Sequence, residues 1–199
     1  MNYPGGIKHK NNKEKTNHSI NYANRGMTLE EDLNITNKYY RDMDKAIIYK
    51  KPTPIKVIKT NFGNTNQSIK ITEAYFDMPS TTDYNGIYNG KYIDFEAKET
   101  TSNTSFPLTN IHKHQLEHLK KVYEQGGISF IIVRFTHLNE TYLLFEKTLD
   151  EFINKNNRKS IPLNYFKEKG YILKDKFNPR VDYLEVLDNI GGIDNEKRN

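Results

Sequence analysis

The chain has 199 residues, a formal net charge of +5 and no cysteine, and this length suits one domain with extra segments rather than several domains. The lack of cysteine excludes disulfides, thiolate zinc sites and a cysteine nucleophile, so a bound metal would need oxygen or imidazole ligands. No run of about 18 apolar residues occurs, and the polar stretch at residues 1–19 is unlike a signal peptide. We therefore predict a cytoplasmic protein.

Two segments concentrate the positive charge. Residues 1–25 contain five basic residues and one acidic residue, and residues 45–72 contain six lysines and no acid. Such segregated basic stretches are typical of phosphate neutralisation in nucleic-acid binding. The alternative is that the lysines keep a tail soluble and protect an edge strand from aggregation.

The first regular element should be a helix from Thr28 to about Arg41, because Thr28 and Glu31 have the spacing of a capping box. A short strand follows at 46–49. The preceding residues, 1–24, show little apolar periodicity and are predicted to form a disordered basic arm.

Two strands at 55–58 and 68–76 are predicted to form a projecting hairpin, with turn-forming Asn and Gly residues between them. Two prolines at 52 and 54 precede it and exclude a helix there. The hairpin carries most of the second basic segment. The DNA-binding candidates are Arg25, Lys50, Lys51, Lys56, Lys59 and Lys70.

A second hairpin is indicated by Asn89-Gly90, the dipeptide favoured by a two-residue type I′ turn. Tyr88 then pairs with Lys91, and this register continues back along both strands. It places Asp83 opposite Glu96, and Thr81 opposite Lys98, with all four side chains on one face.

Two facing carboxylates repel each other unless a cation holds them. Mg²⁺ is the simplest cation for Asp83 and Glu96, because it takes oxygen ligands from one or two carboxylates and fills its other positions with water and phosphate. Lys98, on the same face, could then orient the attacking water and stabilise charge on the phosphate. Standing alone, Glu-x-Lys is more often a solvated strand face with a salt bridge.

The segment after this hairpin should form a helix capped by Thr109, with Ile111, Leu116, Leu119 and Tyr123 as its apolar stripe. The apolar run at 128–135 predicts a central strand buried on both faces. A strand at 141–145 and short helices at 149–154 and 163–169 follow, before a polar tail from residue 191.

Supporting site residues are more ambiguous. Glu30 could face the metal or be an ordinary surface carboxylate of the first helix. Gln115 could coordinate metal or a metal-bound water, or be a half-exposed helix residue. His114 and His118 have a spacing found in zinc sites, but Gln115 stands where a metalloprotease helix has its glutamate, so these two and His112 are interpreted as surface or phosphate-contacting residues.

Several ordered motifs resemble known nucleases. The order Asp83, Glu96, Lys98 is that of the PD-(D/E)xK superfamily. Six segments together resemble the RecU family of Holliday-junction resolvases of Firmicutes: RGMTLEEDL at 25–33, KKPTP at 50–54, STTDYNG at 80–86, YIDFEAKET at 92–100, TSFPL at 104–108 and HQLEH at 114–118.

The resemblance implies a restriction-endonuclease-like α/β fold with a mixed central sheet flanked by helices and a projecting basic stalk at about 51–75, assembled as an intertwined homodimer. The nuclease domain would span 25–190, leaving a disordered tail at 191–199. The resemblance also implies Mg²⁺ ligands at Thr81, Asp83, Glu96 and Gln115, with Lys98 as transition-state stabiliser. Glu30 is kept as a further catalytic candidate.

The implied function is Mg²⁺-dependent, symmetric cleavage of four-way DNA junctions in recombination and repair, and the resemblance also implies modulation of the RecA recombinase. Two rivals remain at this point: a PD-(D/E)xK nuclease with another substrate, such as a restriction or repair enzyme, and a DNA-binding or RecA-regulating module without catalysis.

Overall fold

A computed structural model describes residues 27–62, 69–77 and 81–196. The predicted basic arm at 1–24 and Arg25 lie outside these ranges, as do residues 197–199.

The first helix begins as predicted. In α1 (Leu29–Asp42) the Thr28 hydroxyl accepts a hydrogen bond from the Glu31 backbone N–H at 3.2 Å, and the Thr28 N–H donates to the Glu31 carboxylate at 2.8 Å. This reciprocal pair is the capping box that the sequence spacing indicates. Glu99 adds a third bond, because its Oε1 accepts from the Leu29 N–H at 2.8 Å.

Six strands form one mixed sheet. Four of its five neighbouring strand pairs are antiparallel, and the pair formed by the strands at Lys91–Thr100 and Ile128–Phe135 is parallel. In spatial order the sheet consists of β1 (Ile47–Lys50), β4 (Tyr84–Tyr88), β5 (Lys91–Thr100), β7 (Ile128–Phe135), β8 (Glu140–Phe145) and β10 (Tyr171–Leu173). The short strands β6 (Ser105–Pro107) and β9 (Ser160–Pro162) pair separately.

Helices cover both faces of this sheet. One hydrophobic core contains Leu33 of α1, Phe95 of β5 and Tyr183 at the start of α5 (Tyr183–Glu196). The other contains Leu119 and Phe166, which belong to α2 (Lys113–Glu124) and α4 (Leu163–Lys169), and the helix α3 (Glu146–Lys155) also packs there. The α/β fold class, with a mixed central sheet flanked by helices, is confirmed.

Strand β7 supplies side chains to both cores. Phe130 and Ile132 belong to the first core, whereas Ile131 and Val133 belong to the second. Successive residues of a strand point to opposite faces, so a continuous apolar run is what a doubly covered strand needs. The predicted central position of this strand is confirmed.

The basic segment forms the predicted hairpin. Strands β2 (Ile55–Phe62) and β3 (Ile69–Phe76) pair only with each other in a two-stranded antiparallel sheet. All of the side chains of β3 are exposed. Both strands therefore stand apart from the two hydrophobic cores, as expected for a stalk.

Several boundaries differ from the sequence predictions. Helix α2 starts at Lys113 with His112 as N-cap, whereas Thr109 lies in a separate 3-10 helix at Leu108–Asn110, so the predicted Thr109 cap is wrong. Tyr123, assigned to the apolar stripe, is 44% exposed. Helix α5 continues to Glu196, so the predicted tail from residue 191 overlaps a helix. Among the helices described, none is long and apolar enough to cross a membrane.

Candidate active site

The β4–β5 hairpin has the register that its turn predicts. Asn89 and Gly90 have φ values of 48° and 73°, as a type I′ turn requires. The paired residues run from Tyr88 with Lys91 to Tyr84 with Phe95. Asp83 lies immediately before β4, and the next step of this register places it opposite Glu96.

Backbone hydrogen bonds hold the two acidic residues together. The Asp83 N–H donates to Glu96 Oε2 at 3.1 Å, and the Ala97 N–H donates to Asp83 Oδ2 at 3.1 Å. Each carboxylate is therefore bound by the backbone of the other strand. The structure thus brings Asp83 and Glu96 together, as the register indicates.

Glu96 is a fully buried carboxylate with strong neighbours. Its Oε1 lies 2.5 Å from the Lys98 ammonium and accepts a hydrogen bond from Gln115 Nε2 at 2.8 Å. Burial and then the negative charge of Asp83 raise the pKa of Glu96, Lys98 lowers it, and the net result is a pKa of about 7. A second positive charge would relieve this raised pKa.

Gln115 is buried rather than half-exposed, and both ends of its amide are used. Its Oε1 accepts from the His112 N–H at 2.9 Å at the start of α2, while its Nε2 binds Glu96. Gln115 therefore orients the Glu96 carboxylate. Its oxygen accepts one hydrogen bond, so one lone pair of that oxygen remains for a metal or a metal-bound water.

Glu30 lies on the wall of an open cavity of about 450 Å³ beside Asp83 and Lys98. Its exposed carboxylate pairs with the Lys50 ammonium. Glu31 lines the same cavity, but its carboxylate caps α1. Of the two neighbouring acids, Glu30 is thus the one whose carboxylate is not committed to the cap.

The chain matches the model of one protein family over residues 24–189; the family is described as RecU, Recombination protein U. A relative from Geobacillus kaustophilus, named Holliday junction resolvase RecU, is 48% identical over 195 residues, which is 96% of this chain and 97% of the relative. The chain belongs to the RecU family.

Other RecU relatives match to a similar degree. The Holliday junction resolvase RecU of Oceanobacillus iheyensis is 46% identical, covering 96% of this chain and 99% of the relative, and that of Bacillus mycoides is 50% identical, covering 85% and 86%. A solved structure of Hjc from Archaeoglobus fulgidus, a Holliday junction resolvase, is 10% identical with a TM-score of 0.36, covering 68% of this chain and 89% of that one. A likeness that low adds nothing to the fold assignment.

Thr81 differs from the other predicted metal ligands, because its described side-chain contact is with Lys51 rather than with Asp83 or Glu96. Its side chain is exposed, and its hydroxyl accepts a hydrogen bond from the Lys51 ammonium at 3.1 Å. The resemblance to RecU implies it as a metal ligand. That role stays a prediction.

The site suits a hard cation that binds the two carboxylates and takes its remaining ligands from water and phosphate. Among the residues described, no three His, Asp or Glu side chains lie close enough to hold a metal by themselves. Asp83 and Glu96 supply two carboxylates, and Mg²⁺ commonly takes one or two and completes its shell with water and phosphate oxygens. Burial and Asp83 raise the pKa of Glu96, and a bound cation would lower it by favouring the ionised carboxylate.

Sequence reasoning missed a polar cluster around Asp94. This carboxylate is fully buried and is bound by Lys51, Thr82, Tyr92 and His118. The strand alternation places Asp94 on the same face as Glu96, which is the one signal that the sequence offers. His118, interpreted from the sequence as a surface or phosphate-contacting residue, has a side chain that is only 26% exposed and lies 3.1 Å from Asp94.

The predicted DNA-binding lysines have different surroundings. Lys59 and Lys70 are exposed on the stalk, and Lys56 pairs with Asp77 at 3.0 Å while remaining largely exposed. Lys50 pairs with Glu30. Lys51 differs from the rest, because its side chain is 14% exposed and points inward to Asp94.

Proposed function

We propose that this chain is a magnesium-dependent, homodimeric endonuclease of the cytoplasm that cuts four-way DNA junctions symmetrically. The observation that carries the proposal is the pair of Asp83 and Glu96, joined by backbone hydrogen bonds, with the Lys98 ammonium 2.5 Å from Glu96. Membership of the RecU family supports it, because relatives of 46–50% identity are named Holliday junction resolvases.

Asp83 and Glu96 would hold the cation, with Thr81 and Gln115 as further ligands by resemblance to the family. A bound Mg²⁺ lowers the pKa of a water molecule and offsets charge on the reacting phosphate. Gln115 keeps Glu96 in place through its Nε2 bond at 2.8 Å. Glu30 borders the cavity beside Asp83 and Lys98, where it could accept a proton from water.

Lys98 is the residue placed to stabilise the transition state. Its ammonium is partly exposed and lines the open cavity beside the two carboxylates. A fixed cation at this point favours the extra negative charge that develops on the phosphate oxygens. The Lys98 ammonium also binds Glu96 Oε1, so Lys98 helps to orient the carboxylate that is proposed to hold the metal.

Recognition of the junction would rest on the stalk. Lys56, Lys59 and Lys70 are exposed along β2 and β3 and can neutralise phosphates. Lys50, and Arg25 outside the described residues, are the other proposed phosphate contacts. Phosphate contacts position the protein on DNA without reading its sequence. Branch geometry, rather than base sequence, would therefore select the substrate.

Dimerisation is proposed because one twofold axis can place two sites on a twofold-symmetric junction. Exposed apolar side chains at the sheet edge support it: Ile47, Tyr49 and Ile87 are 61%, 55% and 54% exposed on β1 and β4. A patch of this kind is expected to be covered by a partner. Light scattering should give twice 23.4 kDa, and a monomer that cleaves junctions at full rate would contradict this part of the proposal.

Modulation of RecA is included because the family resemblance implies it. The direct check is the ATPase rate of RecA on single-stranded DNA with and without this chain. An unchanged rate at saturating protein would remove RecA from the proposal and leave the nuclease untouched.

The function is tested with labelled DNA and matched variants. The chain, with and without Mg²⁺, is incubated with a four-way junction and with linear duplex of the same sequence. We expect paired symmetric nicks in the junction only, and only with Mg²⁺. Lys98→Met should reduce kcat roughly 100- to 1000-fold, as does removal of one transition-state donor elsewhere, whereas the exposed control Glu151→Gln should not.

The rivals predict other results. A restriction or repair nuclease would cut the linear duplex as readily as the junction. A binding module would retard the junction in a gel and never nick it. Equal cleavage by Lys98→Met and the parent chain would contradict the role of Lys98.

A further inference from the structure

Asp94 is a fully buried carboxylate that the proposed chemistry does not use. Its Oδ2 accepts from the Lys51 ammonium at 2.8 Å and from the Tyr92 hydroxyl at 2.8 Å, and it lies 3.1 Å from His118 Nε2. Its Oδ1 accepts from the Thr82 hydroxyl. A buried charge is tolerated only when it is paired and hydrogen-bonded in this way.

Lys51 links this carboxylate to the loop that carries Asp83. Its ammonium binds Asp94 at 2.8 Å, the Thr82 hydroxyl at 2.5 Å and the Thr81 hydroxyl at 3.1 Å. Its backbone N–H donates to the Asp83 carbonyl at 2.8 Å. One residue thus holds three successive residues of the loop, through its side chain and its backbone.

Lys51 also stands where the chain leaves the central sheet for the stalk. Strand β1 ends at Lys50, which pairs with Tyr84 of β4, and the stalk strand β2 begins at Ile55. The proline-containing segment between them is short and restricted in φ. On this side of the stalk, Lys51 is therefore the first residue after the central sheet.

We infer that Lys51 and Asp94 form an internal joint that positions the Asp83 loop and connects it mechanically to the base of the stalk. In this inference Lys51 is a positioning residue and not a phosphate contact. The inference rests on the proposed nuclease function, which it deepens, but it also predicts structural effects that need no DNA.

The test uses a double variant in which both charges are removed. Either single variant would leave a buried charge without its partner and could fail to fold, whereas Lys51→Met/Asp94→Asn leaves none. The matched control is Lys120→Met/Asp150→Asn, which removes a surface lysine–aspartate pair at 3.3 Å. Thermal unfolding of both double variants checks that each is folded.

Hydrogen exchange reports on the joint without any catalysis. The Ala97 N–H is bound by the Asp83 side chain, and the Lys51 N–H by the Asp83 carbonyl. We expect faster exchange at both amides in Lys51→Met/Asp94→Asn and unchanged exchange in the control. Parental exchange at both amides in the folded double variant would overturn the inference.

Cleavage and salt dependence separate positioning from DNA contact. At saturating junction, cleavage by Lys51→Met/Asp94→Asn should fall roughly 10- to 100-fold, as when residues supporting metal ligands are lost. The slope of log binding constant against log salt should stay at the parental value. For Lys59→Met on the stalk this negative slope should become shallower by about 0.9, the contribution of one phosphate contact.

If the negative salt slope of Lys51→Met/Asp94→Asn were shallower by about 0.9 and cleavage were parental at saturating junction, Lys51 would be a DNA-binding residue and the joint would be overturned. Failure of the proposed function looks different, because the parent chain itself would then cleave no junction. The exchange measurement would still decide whether the joint exists.

Discussion

Glu96 should make the stability of the metal-free protein depend on pH. Burial, with the charge of Asp83, raises the pKa of this carboxyl from its ordinary 4.5 to about 7. The folded state therefore binds the proton more tightly than the unfolded state does. The stability contributed by protonated Glu96 is complete below pH 4.5 and is lost as the pH rises through 7.

The size of the effect follows from these two pKa values. At 1.36 kcal/mol for each pKa unit, a change from 4.5 to about 7 corresponds to about 3 kcal/mol. Glu96→Gln cannot titrate and lacks this dependence. From about pH 4.5 to pH 8, the free energy of unfolding of the variant should therefore gain about 3 kcal/mol relative to the parent.

The assay is urea unfolding of the parent, Glu96→Gln and the exposed control Glu151→Gln, in EDTA, at several pH values between about 4.5 and 8. Only the Glu96 variant should depart from the pH dependence of the parent. Mg²⁺ at pH 8 should stabilise the parent selectively, because the cation binds the ionised carboxylate. Parallel curves for the parent and Glu96→Gln would refute the assignment of Glu96 as a buried acid with a raised pKa.

Three stability predictions concern the scaffold, each measured by urea unfolding. Arg134→Met should cost about 1.5 to 3 kcal/mol, because buried Asp32 would lose the charged hydrogen bond from Arg134 at 2.7 Å while keeping the one from Arg180; an unchanged free energy of unfolding would contradict this. Gly86→Ala should prevent normal pairing of β1 with β4, since its Cβ would meet the Ile47 carbonyl oxygen at 2.0 Å; parental stability would exclude that contact. Thr28→Ala should cost about 1 kcal/mol through loss of the helix cap. An unchanged urea midpoint would show that the bond from the Leu29 N–H to Glu99 caps α1 without Thr28.

The sequence predicts the acidic pair because local rules fix its geometry. Asn89-Gly90 sets the turn, the turn sets the register, and the register brings Asp83 to Glu96. The first helix is similarly predictable, because the two members of its capping box are only three residues apart. Each step depends on neighbours in sequence.

The surroundings of the lysines could not be predicted in the same way. Lys51 and Lys59 look alike in a basic segment, but Lys51 finds a buried partner 43 residues away in Asp94. Burial of that kind depends on how β1, the 81–83 loop and α2 meet in the folded chain. Charge composition indicates a DNA surface and does not distinguish an inward lysine from an outward one.

The start of helix α2 also could not be predicted from the sequence. Thr109 is a good N-cap by residue type, yet the helix starts after His112, where Gln115 completes the cap with its side chain. The choice depends on tertiary contacts, because Gln115 also binds Glu96 at 2.8 Å from its other end. Residue preferences at helix ends describe local contacts, so they could not indicate that the bond from Gln115 to Glu96 would fix the start of this helix.

The most direct measurement is junction binding and cleavage by Asp83→Asn and Glu96→Gln in saturating Mg²⁺, beside the parent chain. If the two carboxylates hold the catalytic cation, both variants should bind the four-way junction with parental affinity and cut it at a small fraction of the parental rate. Cleavage at the parental rate by either variant would contradict the account.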